Sequence, residues 1–122
     1  MVMQSEDNVG VRRLINALRW TVRGLRSTFK HEEAFRQEVY LFLVLAPLGL
    51  WLGDNGIERA LLVAPLFIVL IVELLNSAIE SVVDRISTDH HQLSGRAKDQ
   101  GSAAVFVSLS LVALCWILVL MP

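Results

Sequence analysis

Three long apolar segments constrain the fold of this 122-residue chain more than any other feature of its sequence. The segments are residues 39–52, 57–72 and 105–120. Each is shorter than the roughly 20 residues that cross a bilayer, but each continues at one end as a helical pattern. Hydrophobic residues make up 54% of the chain, which is more than a soluble domain of this size can bury. We therefore expect an all-α membrane protein that forms a single domain, residues 1–122. Its predicted transmembrane helices are 32–53, 57–87 and 97–121.

The positive charges indicate which ends of these helices lie in the cytoplasm. Of the 11 Lys and Arg residues, only Arg59 lies outside residues 12–36 and 85–98. Cytoplasmic segments carry an excess of Lys and Arg, so the N-terminus and the loop after the second helix are expected inside. The Gly-Asp-Asn-Gly run at 53–56 supplies a tight external turn. The C-terminus is then expected on the outer, periplasmic side.

Residues 8–31 predict a helix of a different kind, which lies on the membrane surface. Its apolar residues fall within a stripe of about 100°, flanked on one side by basic residues. The stripe consists of Val11, Leu14, Ile15, Leu18, Val22, Leu25 and Phe29. Basic amphipathic helices of this type lie on the anionic inner leaflet, and Asn8 is a suitable N-cap. From this segment alone, an anchor without chemistry is an equally good interpretation.

The second apolar segment carries an acidic stripe, which we define as Glu73, Asn76, Glu80 and Asp84. On a helix these residues fall within an arc of about 80°. If the helix enters the membrane near residue 57, Glu73 lies about 24 Å along its axis, close to the cytoplasmic boundary of the hydrocarbon core. Ionisable residues at such depths are rare and usually face a bundle interior or a cavity. The stripe therefore suits chemistry between a lipid headgroup and a water-soluble molecule, although its last two carboxylates also fit ordinary solvated charges.

Two further polar clusters, residues 31–38 and 89–102, lie at the cytoplasmic ends of the first and third predicted transmembrane helices. The first contains Glu32 and Glu38, and the second contains Lys98 and Asp99. Carboxylates from different helices beside Lys and Arg are the parts that a Mg²⁺–nucleotide site needs. The chain has neither a P-loop nor a kinase glycine-rich loop, so helices would have to assemble such a site. The second cluster also contains the adjacent histidines His90 and His91. We interpret them as loop residues rather than as a metal-binding pair.

Three blocks of sequence resemble the signature blocks of the small prokaryotic diacylglycerol kinases. They are EAFRQE at 33–38, VELLNSAIESVVDR at 72–85 and LSGRAKDQGSAAV at 93–105. The resemblance covers essentially the whole chain. It implies a homotrimer of three-span subunits in the bacterial cytoplasmic (inner) membrane, with active sites shared between subunits. It also implies ATP-dependent, Mg²⁺-dependent phosphorylation of diacylglycerol to phosphatidic acid in phospholipid recycling, without a nucleic-acid partner.

The resemblance also implies roles for individual residues. Glu73 would be the general base on the lipid hydroxyl, with Asn76 in support, and Glu32 and Glu80 would hold the metal. The nucleotide would be bound by Arg13, Trp20, Glu32, Glu80, Asp89, His90, His91, Lys98 and Asp99. The lipid would contact Arg13, Glu38, Glu73 and Ser102. The family often has an acidic-Tyr-His run where this chain has Asp89-His90-His91, so Trp20 is the candidate for an aromatic surface.

Packing considerations from the sequence agree with an oligomer. Three transmembrane helices cannot easily enclose the site, so neighbouring subunits are expected to complete it. Small residues in the third helix would allow close helix packing. They are Ala97, Gly101, Ala104 and Ser108.

Alternative functions stay open from the sequence. An undecaprenol kinase would use the same chemistry on a polyprenyl alcohol, and the apolar lining of a lipid cleft does not separate the two substrates. A small multidrug-type transporter would use Glu73 as a proton carrier, although transporters favour an ionisable residue near mid-bilayer. A non-catalytic membrane adaptor would tolerate replacement of Glu73.

Overall fold

The computed structural model of the protein describes residues 9–122, and within this range the chain forms four helices. They are α1 (Gly10–His31), α2 (Glu33–Leu52), α3 (Gly56–Ile86) and α4 (Gln92–Leu120). The last three are long and apolar enough to cross a membrane. The predicted all-α membrane fold, with an amphipathic helix before three spans, is confirmed. The proposed N-cap Asn8 lies outside the described residues.

The α1 helix buries none of its residues in the monomer. Leu14 and Leu18 on its apolar stripe are 70% and 66% exposed. At its C-terminal end, the Arg36 guanidinium on α2 donates hydrogen bonds of 2.9 Å to the carbonyls of Phe29 and Lys30. Helix C-termini leave carbonyls without intrahelical partners, so this side chain stabilises the end of α1. It thereby fixes the junction between α1 and α2, where Glu32 lies.

The turn between α2 and α3 is closed by a set of capping interactions. The Asn55 side chain accepts a 2.9 Å hydrogen bond from the Glu58 backbone N–H, and the Glu58 carboxylate accepts one of 3.1 Å from Asp54 N–H. The first contact caps the N-terminus of α3, and the second holds the residue before the N-cap against the first turn of the helix. The Arg59 side chain donates to the carbonyl of Leu50 at the end of α2. The predicted turn therefore sets α2 antiparallel to α3.

The α3 helix lies between α2 and α4 and contacts both along its length. The side chain of Leu62 is completely buried, and a Cβ atom on Gly49 of α2 would lie 3.0 Å from Leu62 Cβ. From the other side, the indole N–H of Trp116 on α4 donates a 2.9 Å hydrogen bond to the Leu62 carbonyl. These contacts set the register of three antiparallel helices. This register brings Glu38 of α2 to the level of Glu73.

The helix that forms the third span begins five residues earlier than the sequence predicts. The sequence predicts that the third transmembrane helix begins at residue 97, which leaves 88–96 as the loop, yet only residues 87–91 separate α3 from α4. His91 is the reason, because its Nδ1 accepts a 3.1 Å hydrogen bond from Leu93 N–H and caps the new helix. Because α4 begins at Gln92 and not at residue 97, Lys98 and Asp99 lie in its second turn and not at its first residues.

Candidate active site

The site is built around Glu73, the most deeply buried carboxylate in the described part of the chain. Its residue is only 5% exposed, although it carries an ionisable group in an apolar helix. Its charge interacts with that of Glu38, which is half-buried on α2. Oε2 atoms of both carboxylates are buried and have no hydrogen-bond partner among residues 9–122. The first carboxylate of the acidic stripe thus faces the bundle interior, and it is free to accept a hydrogen bond from a ligand.

Asn76 connects the stripe to the next carboxylate. The sequence places Asn76 beside Glu73, but the hydrogen bond in the structure joins Asn76 Nδ2 to Glu80 Oε1, at 3.4 Å. Asn76 Oδ1 points towards Gly101 of α4 and is buried without a hydrogen-bond partner in the described range. The amide therefore orients Glu80 instead of Glu73.

Glu32 reaches α3 from the junction of α1 and α2. It lines a cavity of about 370 Å³ between α1 and α3, together with hydroxyl groups of both helices. The hydroxyl-bearing residues are Ser27, Thr28, Ser77 and Ser81. The charges of Glu32 and Glu80 both act on Glu73, so three carboxylates from two parts of the chain lie within electrostatic range.

Glu32 and Glu80 are the two carboxylates predicted to bind a metal ion. No three His, Cys, Asp or Glu side chains come together to hold a cation across residues 9–122. The hydrogen bond from Asn76 uses only one carboxylate oxygen of Glu80, Oε1. Glu32 is half-buried. Mg²⁺ is usually bound by one or two carboxylates together with substrate phosphates and water. These residues therefore fit a cation that arrives with a nucleotide, and they do not form a closed metal site.

A second cavity, of about 200 Å³, lies at the connection between α3 and α4. Four of the residues predicted to bind the nucleotide line it: Asp89, His90, His91 and Lys98. Lys98 Nζ lies 2.8 Å from Asp84 Oδ1, and its charge also interacts with Glu80. Asp84 pairs with this lysine on α4 and not with Arg85, its neighbour in sequence. The acidic stripe thus extends from the buried Glu73 to Asp84, which is exposed and pairs with Lys98.

Four of the predicted site residues do not join this group in a single chain. Arg13 is exposed near the start of α1, about 28 Å along the helix from Glu32. Trp20 is half-buried on the same helix, and Asp99 and Ser102 are exposed on α4. No hydrogen bond or ion pair connects these four with the carboxylates in the range that the structure describes.

Sequence reasoning did not assign a role to several residues that border the site. Ser77 and Ser81 face Glu32 across the cavity, and their spacing of four residues places them on one face of α3. Gly101 was noted only as a small residue that permits packing, yet it contacts Asn76. The serine spacing was a usable signal, whereas the Gly101 contact depends on how α4 packs against α3.

The arrangement described so far is a buried carboxylate on α3, the further carboxylates of Glu80 and Glu32, and the lysine Lys98 on α4. The family described as Prokaryotic diacylglycerol kinase matches residues 19–120 of the chain. The chain belongs to this family. The match covers all of α2, α3 and α4 and the C-terminal half of α1, and it includes every carboxylate of the site.

Individual members of the family are similar to the chain along most of its length. Diacylglycerol kinase of Haemophilus influenzae is 50% identical over 107 residues, which cover 88% of this chain and 91% of that protein. Diacylglycerol kinase of Pseudomonas aeruginosa is 46% identical over 116 residues, covering 95% and 94%. The Escherichia coli enzyme is 43% identical over 116 residues, covering 95% of each chain. The alignments therefore span nearly the full length of these three relatives.

Proposed function

We propose that the chain transfers the terminal phosphoryl group of ATP to diacylglycerol, forming phosphatidic acid at the cytoplasmic face of the membrane. The observation that carries the proposal is Glu73, a carboxylate 5% exposed within a membrane-spanning helix and without a hydrogen-bond partner in the described range. Membership of the prokaryotic diacylglycerol kinase family and the names of its similar members support the substrate. Residues 1–122 are proposed to act as one kinase domain.

In the proposed reaction, Glu73 accepts the proton of the lipid hydroxyl as the new bond between oxygen and phosphorus forms. The bond between the terminal phosphorus and the bridging oxygen breaks, and ADP leaves. A primary alcohol is a weak nucleophile until its proton is accepted, and a positioned base accelerates such steps by about 10²–10⁴. Glu38, one helix away at the same level, and Ser102 are proposed to contact the lipid.

The remaining residues are proposed to hold the nucleotide. Glu32 and Glu80 would bind Mg²⁺, which neutralises phosphate charge during transfer. Lys98 adds a positive charge next to Glu80, and the cavity at residues 87–91 accommodates part of the nucleotide. Arg13, Trp20 and Asp99 are assigned to the nucleotide by resemblance, with Arg13 also near the lipid.

We propose that the active protein is a homotrimer whose sites are completed by neighbouring subunits. Two observations support an oligomer: Asp99 and Ser102 are exposed in the monomer, and an apolar groove of about 410 Å³ runs along the cytoplasmic half of α3. Leu75 and Val82 in this groove are each 61% exposed. A bacterial inner-membrane location is proposed from the family. The orientation, with the N-terminus cytoplasmic and the C-terminus periplasmic, is proposed from the distribution of Lys and Arg.

The substrate is tested with purified protein, labelled ATP and Mg²⁺, using diacylglycerol and undecaprenol in parallel mixed micelles. We expect labelled phosphatidic acid, with a clear preference for diacylglycerol. A preference for undecaprenol would replace the lipid but keep the chemistry. No labelled lipid, together with proton-coupled cation movement in liposomes, would refute the kinase in favour of the transporter.

A further inference from the structure

Gly101 makes the closest approach between α4 and the acidic stripe. It is buried, and a Cβ atom built on it would overlap Asn76 Oδ1 and lie 2.9 Å from Asn76 Cγ. Real Cβ atoms are not found so close to other heavy atoms, so the Asn76 side chain occupies space that exists only because residue 101 is glycine. The backbone of Gly101 is helical and has an ordinary φ, so conformational freedom does not explain the glycine.

The contact determines where the Asn76 amide points. With Oδ1 against α4, the amide nitrogen is directed along α3 and donates to Glu80 Oε1. No other hydrogen bond to Glu80 is formed by the described residues. An added methyl group at residue 101 would move the Asn76 side chain to another rotamer, because the carboxamide and the methyl group cannot share the same volume.

We propose that Gly101 is a positioning residue of the phosphoryl-transfer site, which holds Asn76 in the orientation that fixes the Glu80 carboxylate. Gly101 has no side chain with which to contact a substrate, so in this proposal its effect passes through Asn76. Groups that orient a metal-binding carboxylate typically change metal affinity or activity by about 10- to 100-fold when they are removed. The inference rests on the proposed function only for the role of Glu80 as a metal-binding residue.

The first test replaces Gly101 with Ala and compares it with Gly56→Ala. A Cβ atom on Gly56 has no heavy atom within 4 Å, so this control adds the same methyl group far from the site. We expect Gly101→Ala to raise the half-saturating Mg²⁺ concentration by about 10- to 100-fold. We also expect Mg²⁺ with a non-hydrolysable ATP analogue to lose most of its thermal stabilisation of the variant. Gly56→Ala should match the wild type in both measurements.

A double-mutant cycle separates positioning from simple packing. In an Asn76→Ala background the clash is absent, so Gly101→Ala should cause no further change in Mg²⁺ requirement. Asn76→Ala alone should reproduce most of the Gly101→Ala effect. An equally large effect of Gly101→Ala in both backgrounds would overturn the inference, as would an unchanged Mg²⁺ requirement in the single variant.

Two further results are decisive if Gly101→Ala does not fold. Recovery of a folded protein in the double variant would support the inference, because relief of the clash would then restore the structure. Failure of the double variant to fold would overturn it, because the damage would then not arise from the clash with the Asn76 side chain. Wild-type lipid phosphorylation, measured in parallel, tests the proposed function independently of this cycle.

Discussion

Replacing Glu73 with Gln tests the chemical role of the buried carboxylate most directly. Gln keeps the size of the side chain and its amide can still form hydrogen bonds, but it does not accept a proton. The structure gives Glu73 no basic partner within residues 9–122, so the carboxylate is free to act as a base. Loss of a general base lowers turnover by about 10²–10⁴, equivalent to roughly 3–5 kcal/mol on the activation free energy.

The same substitution should leave assembly intact and should not lower thermal stability. Glu73 is buried among the like charges of Glu38, Glu80 and Glu32, and a neutral side chain removes that repulsion. Burial of an unpaired charge is costly, so its removal favours the folded state. The melting temperature of Glu73→Gln in detergent should therefore be at least that of the wild type.

The assay measures steady-state phosphorylation of diacylglycerol, with lipid and ATP each varied, alongside thermal unfolding. Glu58→Gln is the matched control on the same helix, because Gln retains an oxygen that can accept the hydrogen bond from Asp54 N–H. We expect wild-type turnover for the control and unchanged KM for ATP in Glu73→Gln. Turnover of Glu73→Gln within a few-fold of wild type would refute its assignment as the base.

Three further predictions concern the metal, the packing and the junction before α2. Glu80→Gln should raise the Mg²⁺ requirement and lower turnover without affecting assembly; a normal Mg²⁺ titration would make Asp84 the next candidate. Gly49→Ala should lower the free energy of unfolding by about 1–3 kcal/mol in detergent, since the new methyl group crowds Leu62. Arg36→Ala should expose the α1–α2 junction to proteolysis and weaken nucleotide binding through Glu32, because two carbonyls lose their charged donor. Unchanged proteolysis of Arg36→Ala would contradict that role.

Much of the fold and part of the site follow from the sequence alone. Apolar length and charge predict three membrane helices after an amphipathic one, and the run at 53–56 predicts the turn. Helical periodicity alone places Glu73, Asn76 and Glu80 on one face of α3. These features depend on residues near one another along the chain, so the sequence determines them without tertiary information.

Only the tertiary structure decided which groups meet across helices. Periodicity places Asn76 near both Glu73 and Glu80, and the choice of Glu80 depends on the space beside Gly101. The loop at 87–91 is shorter than expected because the His91 side chain caps α4, a contact that composition does not reveal. Such contacts depend on helix register and on side-chain rotamers, which are set by packing between residues far apart in the chain.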